Sequence, residues 1–373
     1  MTKPVTFEEG DDQWRRWRKR CREDLYFLNA MVLGYGSLVP MTPRVHLPLC
    51  RFAERKTGIP EIDEARIQLI HIGRGTGKTT CVTIGRTVQR ILQNRDWAAG
   101  IANETHPNAC AMLGVIKSHF ESNDLLRKLF PELIPPSFRD TAWRQDRIIV
   151  NRTPSGKRNK INPTIRAAGV DSTVTGVHMN EWILDDLISD DAAKAAAKGV
   201  FTAIEDANGW IRRVQPLLTR PKQDPITIIG TPWWPGDTYD FIQEHWGDPE
   251  DVRTFLWTLK LPGGDHFSMK LVRSGELALF KMPMRDEKGR AIWPEGGLDD
   301  ESLQAMEAED PLFFGAQYML EPSEGEALSF KKEWLKPFEW DSSQHLVFDG
   351  PDGKTTFEHL QTLDVVLSVD LAH

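Results

Sequence analysis

The chain of 373 residues is long enough for two domains, or for one large domain with an appended unit. It has no apolar run approaching the ~18 residues that cross a bilayer, so we expect no membrane association. The net charge of −8 is uneven, because residues 1–200 carry 30 Lys and Arg against 23 Asp and Glu whereas residues 201–373 carry 16 against 31. This excludes a uniform nucleic-acid coat but allows a local polyanion-binding surface on the first half.

The N-terminus and the cysteines indicate the compartment. Residues 2–12 are polar and acidic, so we expect no signal peptide. The four cysteines are widely spaced, form no C-x-x-C pair and lie in no histidine arrangement typical of zinc: Cys21, Cys50, Cys81 and Cys110. A reducing cytoplasm fits these features best.

Residues 1–60 predict a helical segment ahead of the main fold. Residues 12–28 have an apolar stripe at spacings of three and four, formed by Trp14, Trp17, Cys21, Leu25 and Leu28. The opposite face is basic and contains Arg15, Arg16, Arg18, Lys19, Arg20 and Arg22. This face either docks DNA or a partner protein, or is the solvated side of a packed helix. Residues 34–48, with their glycines and prolines, predict a loop, and residues 49–55 predict a short helix.

Residues 67–80 carry the strongest motif of the chain. The apolar residues Ile67, Leu69, Ile70 and Ile72 predict a buried strand, which is followed by glycines and then by the start of a helix. Such a connection binds phosphate, because glycines let backbone N–H groups surround an anion at the positive end of a helix. We therefore predict that a nucleoside triphosphate contacts Gly73, Arg74, Gly75, Thr76, Gly77, Lys78, Thr79 and Thr80.

Two residues of this loop have predicted roles. Lys78 would reach the β- and γ-phosphates, and the Thr79 hydroxyl would bind Mg²⁺. The motif departs from G-x-x-x-x-G-K-[ST], because its first glycine would fall at Ile72 and Gly73 lies one place late. A glycine-rich dinucleotide loop is the competing interpretation, but such a loop has no Gly-Lys-Thr at its helix start. A chance Gly-Lys-Thr turn is the other alternative.

Strands and helices alternate through the rest of this region. Helices are predicted over residues 78–93 and 106–120, and apolar strands over 97–102, 147–150, 165–168 and 226–229. The alternation predicts an α/β fold with a mostly parallel sheet flanked by helices. Together with the phosphate loop, it indicates the P-loop NTPase type (RecA/ASCE-like). The basic turn over residues 151–160 either contacts DNA phosphate or a neighbouring subunit's nucleotide, or is a solvated loop.

The second chemical motif is Trp182-Ile183-Leu184-Asp185-Asp186. A triphosphatase needs an acid at the end of a strand beside the phosphate loop to hold Mg²⁺, and a neighbouring carboxylate to orient the attacking water. We predict that Asp185 takes the first role and Asp186 the second. Glu181 is the alternative for the second role, although it precedes the apolar triplet rather than following it.

A third strand end carries a small hydroxyl. The apolar run over residues 226–229 is followed by Gly230-Thr231-Pro232, and a hydroxyl beside the γ-phosphate can detect that phosphate, so Thr231 is the candidate sensor. An ordinary strand-terminating turn is the alternative. Trp293-Pro294-Glu295 and a helix predicted over residues 302–320 indicate a small, partly helical C-terminal lid. The last apolar strand has Asp370 at its end.

Taken together, these motifs resemble the large terminase subunit of tailed bacteriophages, the ATPase that drives DNA into the procapsid. Residues 73–79 are similar to the irregular phosphate loop of that family, and residues 175–178 leading into 183–186 to its Mg²⁺ strand. Residues 230–233 with Asp237 are similar to its coupling motif, and residues 293–295 and 314–322 to its lid. Residues 368–372 are similar to the opening strand of its RNase H-like nuclease.

The resemblance implies four segments. Residues 1–60 would be an N-terminal helical segment on the adenine side, where His46 or Arg44 could contact the base or could simply lie on the surface, and residues 61–248 the P-loop ATPase core. Residues 249–340 would be the lid and linker, and residues 341–373 a linker with the first strand of a truncated nuclease. Asp370 would be the first metal ligand of an incomplete nuclease site, because such a site needs further carboxylates. We expect this chain to hydrolyse ATP and not to cut DNA.

The resemblance also implies cofactors and partners. The cofactors are ATP and Mg²⁺, and the partners are double-stranded DNA, the portal protein and the small terminase subunit. The chain would form a homo-oligomeric ring, pentameric in the family, with a monomer in solution also allowed. It would act in the cytoplasm of the infected bacterial cell and would not be retained in the virion.

A further cation would stabilise the charge that develops during phosphoryl transfer. Arg74 could supply it within the chain, or a neighbour in the ring could supply it from Arg139, Arg144, Arg147, Arg152 or Arg158. Two other functions stay open. One is a helicase-like DNA translocase with two tandem cores, and the other is a nucleotide-gated assembly protein without catalysis.

Overall fold

A computed structural model describes residues 10–37, 40–139, 141–159, 162–172, 174, 176–323, 339–340, 345–349 and 355–359. The chain divides into two compact units, Met1–Ser323 and Glu324–His373. The predictions for Asp370 and for residues 368–372 lie outside the described residues.

Helices occur throughout the first unit. They are α1 (Asp12–Glu23), α2 (Leu25–Phe27), α3 (Pro43–Ala53), α4 (Pro60–Asp63), α5 (Gly85–Gln93), α6 (His106–Ser122), α7 (Asp124–Leu129), α8 (Pro154–Asn159), α9 (Asp190–Ala196), α10 (Thr202–Val214), α11 (Thr238–Trp246), α12 (Asp300–Glu309) and α13 (Pro311–Gln317). Two π-helical turns are Leu28–Val32 and Thr79–Ile84, and short 3₁₀ turns are Tyr35–Ser37, Pro131–Leu133, Gln215–Leu217 and Pro294–Gly296. Among the described residues, none of these helices combines the length and apolar character needed to cross a membrane.

The strands of the first unit form one nine-stranded sheet. They are β1 (Ile67–Ile72), β2 (Ala99–Asn103), β3 (Arg147–Ile148), β4 (Ile165–Gly169), β5 (Glu181–Asp185), β6 (Ile226–Gly230), β7 (Val252–Lys260), β8 (His266–Ser274) and β9 (Leu277–Met282). Their order is β3-β4-β2-β5-β6-β1-β9-β8-β7. Six neighbouring strands are parallel to one another: β4, β2, β5, β6, β1 and β9. At one edge β3 pairs antiparallel with β4, and at the other edge β8 pairs antiparallel with both β9 and β7. The predicted α/β fold with a mostly parallel, helix-flanked sheet is confirmed.

The parallel strands β1, β2, β5 and β6 are buried at every residue because helices cover both faces of the sheet there. In β1, Ile70 and Ile72 belong to the core on one side of the sheet, and Ile67 and Leu69 belong to the core on the other side. This alternation follows the two-residue period of a strand. It also explains why the run looks continuously hydrophobic in the sequence rather than alternating.

The second unit contains a three-stranded antiparallel sheet. Its strands are β10 (Glu339–Trp340), β11 (His345–Asp349) and β12 (Thr355–His359), in the order β10-β11-β12.

The structure corrects several predicted elements. The glycines and prolines of residues 34–48 predict a loop, but α3 begins at Pro43 and contains Pro48. Proline is tolerated at the first helical position, because the N–H that it lacks has no partner there. The basic segment over residues 151–160 contains the short helix α8 rather than only a turn, and the helix predicted over residues 302–320 is two helices that are separated at Asp310.

The sheet also continues past residue 248, where the sequence-based boundary of the core falls. β9 pairs with β1 in parallel over six residues, from Ile67 opposite Leu277 to Ile72 opposite Met282. β8 and β7 follow it as an antiparallel pair. Residues 252–282 are therefore part of the same sheet as the phosphate loop.

Candidate active site

The candidate site lies at one edge of the parallel part of the sheet. β1, β6, β5 and β2 are neighbours and end at this edge, because parallel strands share their carboxyl ends. Asp185 is the last residue of β5, and Lys78 and Thr231 follow the ends of β1 and β6, so the three predicted residues lie at three strand ends of one sheet. The fold thereby brings together segments that are far apart in sequence.

The loop after β1 has the backbone that its glycines predict. Gly75 and Gly77 have φ angles of +83° and +74°, a region that residues with a Cβ rarely adopt. The Thr76 hydroxyl donates to the Gly73 carbonyl at 2.8 Å and closes the loop on itself. Gly73 is needed for a different reason, because a Cβ there would lie 2.4 Å from Cγ of Met284.

His46 supports the loop from α3. It is fully buried, and its Nε2 lies 3.0 Å from the Thr76 carbonyl, which makes it the donor of that hydrogen bond. Burial lowers the pKa of His46, so the neutral ring is favoured. The interpretation of His46 as a surface residue is therefore wrong, because its side chain is buried and is hydrogen-bonded to the loop. Arg44 is the other candidate for contact with the adenine base. Its guanidinium lies 3.8 Å from the Asp286 carboxylate.

A lysine and a threonine of the loop contact the two aspartates at the end of β5. Lys78 Nζ lies 3.6 Å from Oδ1 of Asp186. The Thr79 hydroxyl donates to Oδ1 of Asp185 at 3.2 Å, and Thr83 donates to Oδ2 of the same carboxylate. Thr79 and Thr83 lie on the π-helical turn that replaces the first turn of the predicted helix. Such turns occur frequently at functional sites.

Asp185 is completely buried at the end of β5. Burial, followed by the charge of Asp186, raises the pKa of the Asp185 carboxyl above its ordinary value. A cation beside this carboxylate would offset that effect by favouring the charged form. A carboxylate and a hydroxyl oxygen that lie 3.2 Å apart are hard oxygen ligands of the kind that Mg²⁺ prefers.

No group of three or more His, Cys, Asp or Glu side chains in the described part of the chain could hold a metal ion by itself. A Mg²⁺ ion at Thr79 and Asp185 would therefore need oxygen ligands from water and from a bound phosphate. This is the usual situation for Mg²⁺, which takes one or two carboxylates together with substrate phosphates.

Asp186 has a strained backbone. Its φ angle is +45°, which is uncommon for a residue other than glycine, and its side chain is 40% exposed. The Asp186 N–H donates to the Ile229 carbonyl at 2.9 Å, and its carbonyl accepts from Glu104 N at 3.1 Å. The segments that end β6 and follow β2 thus hold Asp186 in this conformation. Strained backbone of this kind is typical of functional sites.

Thr231 lies at the predicted strand end, but its hydroxyl already has a partner. The side chain is 2% exposed, and Oγ1 donates to Oε1 of Gln317 at 3.1 Å. Gln317 also donates from Nε2 to the Pro232 carbonyl at 3.1 Å, and its own carbonyl accepts from Arg74 N at 2.9 Å. The Arg74 guanidinium lies 5.7 Å from the ring centres of both Trp233 and Phe313.

Asp237, which the sequence places in the coupling motif, caps the next helix. It accepts from the backbone N–H groups of Trp233, Trp234 and Tyr239, at the start of α11. These bonds fix the loop that carries Trp233.

The sequence motifs do not include several residues of the site. Glu104 follows β2 at the same edge, and its Oε1 accepts from Ser189 Oγ at 2.7 Å. Asn103, the last residue of β2, donates from Nδ2 to the Asp185 carbonyl at 2.7 Å. The signal that could have found them is their position at the end of an apolar strand. The contact of Gln317 with Thr231 has no such local signal.

The structure separates some of the alternatives. Glu181 is the first residue of β5, at the opposite end of the strand from Asp185, and it pairs with Arg90 at 2.8 Å. It is therefore excluded as the second carboxylate. Of the arginines considered for a neighbour's site, Arg139, Arg144 and Arg158 are exposed, whereas Arg147 pairs with Asp146 and Arg152 is buried.

Comparison with known proteins gives structural likenesses only. No family of known proteins and no curated protein matches the chain by sequence. Two structures of the Thermus phage P74-26 large terminase ATPase domain, one of them a mutant form, are similar. The mutant has 17% identity, a TM-score of 0.41 and coverage of 69% of this chain and 90% of its own. The other has 16% identity, a TM-score of 0.40 and coverage of 69% and 89%.

The large terminase of bacteriophage HK97 is also similar, with 13% identity, a TM-score of 0.41 and coverage of 82% of this chain and 61% of that one. These proteins bear the name of the family that the sequence motifs resemble.

Proposed function

We propose that this chain is a P-loop nucleoside triphosphatase that uses ATP and Mg²⁺. The observation that supports this most directly is the pair of contacts between the loop after β1 and the end of β5. Thr79 reaches Asp185 at 3.2 Å and Lys78 reaches Asp186 at 3.6 Å, although more than 100 positions separate the two segments. A chance Gly-Lys-Thr turn has no reason to face two acids at a strand end.

In this proposal the loop over residues 73–80 binds the phosphates. Gly75 and Gly77 allow the backbone N–H groups to face the anion, and Thr80 contributes at the start of the helical turn. Lys78, which pairs with Asp186, would transfer its contact to the β- and γ-phosphates. Thr79 and Asp185 would hold Mg²⁺, and the ion would neutralise charge on the phosphate oxygens.

Asp186 orients and deprotonates the attacking water. Its partly exposed side chain projects from a strained backbone beside the loop, and binding of phosphate by Lys78 frees its carboxylate. Glu104 is a second carboxylate at this edge, anchored by Ser189, and it is the alternative for the same role. Asp186 is favoured because it already contacts a residue of the loop.

Arg74 is the proposed catalytic cation within the chain. It is exposed at the mouth of the loop, and its guanidinium lies against two aromatic rings. A guanidinium held by aromatic rings keeps its N–H donors for an anion. A neighbour's Arg139, Arg144 or Arg158 could take the same role in an oligomer, since all three are exposed.

The particular triphosphatase that we propose is the motor ATPase of a phage large terminase subunit. The order of its motifs along the chain supports this, from the irregular phosphate loop through the acids at the end of β5 and the Thr231 segment to the lid. Its partners would be double-stranded DNA, the portal protein and the small subunit, in a ring that forms in the cytoplasm of the infected bacterium. Residues 341–373 would begin a nuclease, with Asp370 as its first ligand.

The experiment is a measurement of phosphate release from MgATP by the full chain, with and without double-stranded DNA. We expect turnover that requires Mg²⁺, is lost in Asp185→Asn and increases when DNA is added. ATP binding without phosphate release under all conditions would instead indicate a nucleotide-gated assembly protein. Strand displacement by the isolated monomer would indicate a helicase.

A further inference from the structure

Gln317 connects three parts of the candidate site. It is the last residue of α13, it is completely buried, and it has hydrogen-bond partners in two other segments. Its side chain binds Thr231 and Pro232 after β6, and its backbone carbonyl binds Arg74 in the phosphate loop. We infer that Gln317 is a positioning residue that transmits the presence of a terminal phosphate from Thr231 to α13. This inference rests on the function proposed above.

The orientation of the Gln317 amide is fixed by its neighbours. The Pro232 carbonyl can only accept a hydrogen bond, so the atom that faces it at 3.1 Å must be the Nε2 donor. Oε1 then faces Thr231 and can only accept. The Thr231 hydroxyl is therefore the donor in the 3.1 Å bond, and its single proton is committed to Gln317.

Thr231 lies beside the strand end that leads into the phosphate loop. Gly230 pairs with His71 in the register of β6 and β1, so Thr231 lies beside the last residue of β1, directly before the phosphate loop. Neighbouring strands are about 4.8 Å apart, so Thr231 lies close to the backbone that leads into the phosphate loop. A phosphate oxygen at this position would be an acceptor and would compete for the same proton.

Whether the Thr231 hydroxyl donates to Gln317 or to a phosphate oxygen depends on whether the terminal phosphate is present. A hydroxyl donates one proton, and a bond to a charged phosphate oxygen is stronger than a bond to a neutral amide. When the terminal phosphate takes the proton, Oε1 of Gln317 is left buried without a donor, which is unfavourable. The Gln317 side chain must then find another partner, and α13 shifts or loosens at its C-terminal end.

The same helix face also contacts the phosphate loop. Phe313 and Gln317 are four positions apart on α13 and therefore lie on one face. The Phe313 ring packs against the Trp233 ring at 5.9 Å and against the guanidinium of Arg74. The backbone N–H of Arg74 donates to the Gln317 carbonyl. A change at α13 would thereby reach Arg74 through both its backbone and its side chain.

The test compares hydrogen exchange of the α13 amides in the full chain at saturating MgATPγS and MgADP. We expect the exchange of these amides to differ by about fivefold between the two nucleotides, the factor that corresponds to one net hydrogen bond. The difference should vanish in Gln317→Leu and in Thr231→Val, which keeps the shape of threonine without its hydroxyl. Thr231→Ser restores the hydroxyl and should restore the difference.

The matched control is Gln304→Leu, the same substitution at an exposed position on the neighbouring helix α12. It should leave the nucleotide-dependent difference unchanged. A merely structural role for Gln317 would lower the melting temperature of Gln317→Leu but would leave the folded Thr231→Val with a normal difference.

The outcomes separate this inference from the proposed function. If ATPγS binds and α13 exchanges equally with both nucleotides in the unsubstituted chain, the inference is overturned while the triphosphatase survives. The inference is also overturned if Thr231→Val retains the difference. If neither nucleotide binds in a calorimetric titration, the proposed function fails and this inference fails with it.

Discussion

The nine-stranded sheet has a covered side, the parallel strands β1, β2, β5 and β6, and an exposed side, the antiparallel strands β7 and β8. The two sides differ in how much of each strand is buried. Every residue of β1 is buried, because helices pack on both faces. In β7, at the far edge, Trp257 is the one buried residue of the strand, and Leu256 is 72% exposed. The sheet is continuous, yet the candidate chemistry is confined to the covered side. Strand ends that are held from both faces can fix side chains to the accuracy that catalysis needs, and their low-dielectric surroundings strengthen the contacts of charged groups.

The largest expected difference between the two sides is in catalysis. Lys78→Ala removes the charge that would contact the phosphates, so kcat for ATP should fall by roughly 10²–10³-fold or more. Lys270→Ala on β8 removes an exposed lysine of the other side and should leave kcat unchanged. Steady-state phosphate release measures both. Equal activity of Lys78→Ala and the unsubstituted chain would contradict the assignment of the loop.

Much of the covered side could be predicted from the sequence. The Gly-Lys-Thr after a buried strand and the Asp-Asp at the end of another are local patterns, and the sheet brings their strand ends together because parallel strands share an edge. The positions of Lys78, Thr79 and Asp185 follow from these patterns.

The rest could not be predicted, because its partners are distant in sequence. β9 pairs with β1 across 210 positions, and its apolar residues give no sign of which strand they join. The bond between Thr231 and Gln317 joins positions 86 apart through an ordinary amide. Pro43 and Pro48 favour a loop, although burial of α3 against the core outweighs the cost of an internal proline.

The second prediction compares Asp186 and Glu104 as the general base. Asp186→Asn should lower kcat by roughly 10²–10⁴-fold, the usual contribution of a general base, with little change in ATP affinity. Glu104→Gln at the end of β2 should have a much smaller effect on kcat. Single-turnover kinetics with a binding titration distinguishes the two. A larger loss in Glu104→Gln than in Asp186→Asn would assign the base to β2.

A third prediction concerns packing beside the site. A Cβ at Gly230 would lie 1.8 Å from the hydroxyl oxygen of Tyr239, so Gly230→Ala should lower the free energy of unfolding by roughly 1–3 kcal/mol. Thr254→Ala, at an exposed position of β7, should change it by less than about 0.5 kcal/mol. Denaturant titration measures both. Equal values would show that the two sides of the sheet tolerate change alike.

A fourth prediction uses a histidine of β1. Burial lowers the pKa of His71 to about 4, and its Nδ1 lies 2.9 Å from the Gly230 carbonyl. An unfolded histidine binds a proton below pH ~6.5, so the stability contributed by the neutral ring is complete above that pH and is lost as the pH falls toward 4. His71→Gln retains an N–H donor but does not titrate.

The free energy of unfolding of the unsubstituted chain, relative to His71→Gln, should therefore rise by about 2 kcal/mol between pH 5 and pH 7. Denaturant titrations at several pH values measure this difference. A difference that does not depend on pH would mean that the His71 ring is not held neutral.

The smallest effect is expected at the exposed edge. Leu256→Thr on β7 removes an apolar side chain that is already in contact with solvent, so the free energy of unfolding should change by less than about 0.5 kcal/mol. ATP turnover should not change. A marked loss of turnover would indicate that the exposed side takes part in function, which would remove the contrast between the two sides.

The central claim is that one pocket at the ends of β1, β5 and β6 holds a magnesium-bound triphosphate, and a structure with Mg²⁺ and a non-hydrolysable ATP analogue tests it most directly. We expect phosphates on the loop over residues 73–80 and the metal on Thr79 and Asp185, with Thr231 at the terminal phosphate. An open groove of about 880 Å³ lies beside β8 and β9 and is lined by Lys270, Lys281 and Arg285. Phosphates bound in that groove, with the loop after β1 empty, would contradict the account.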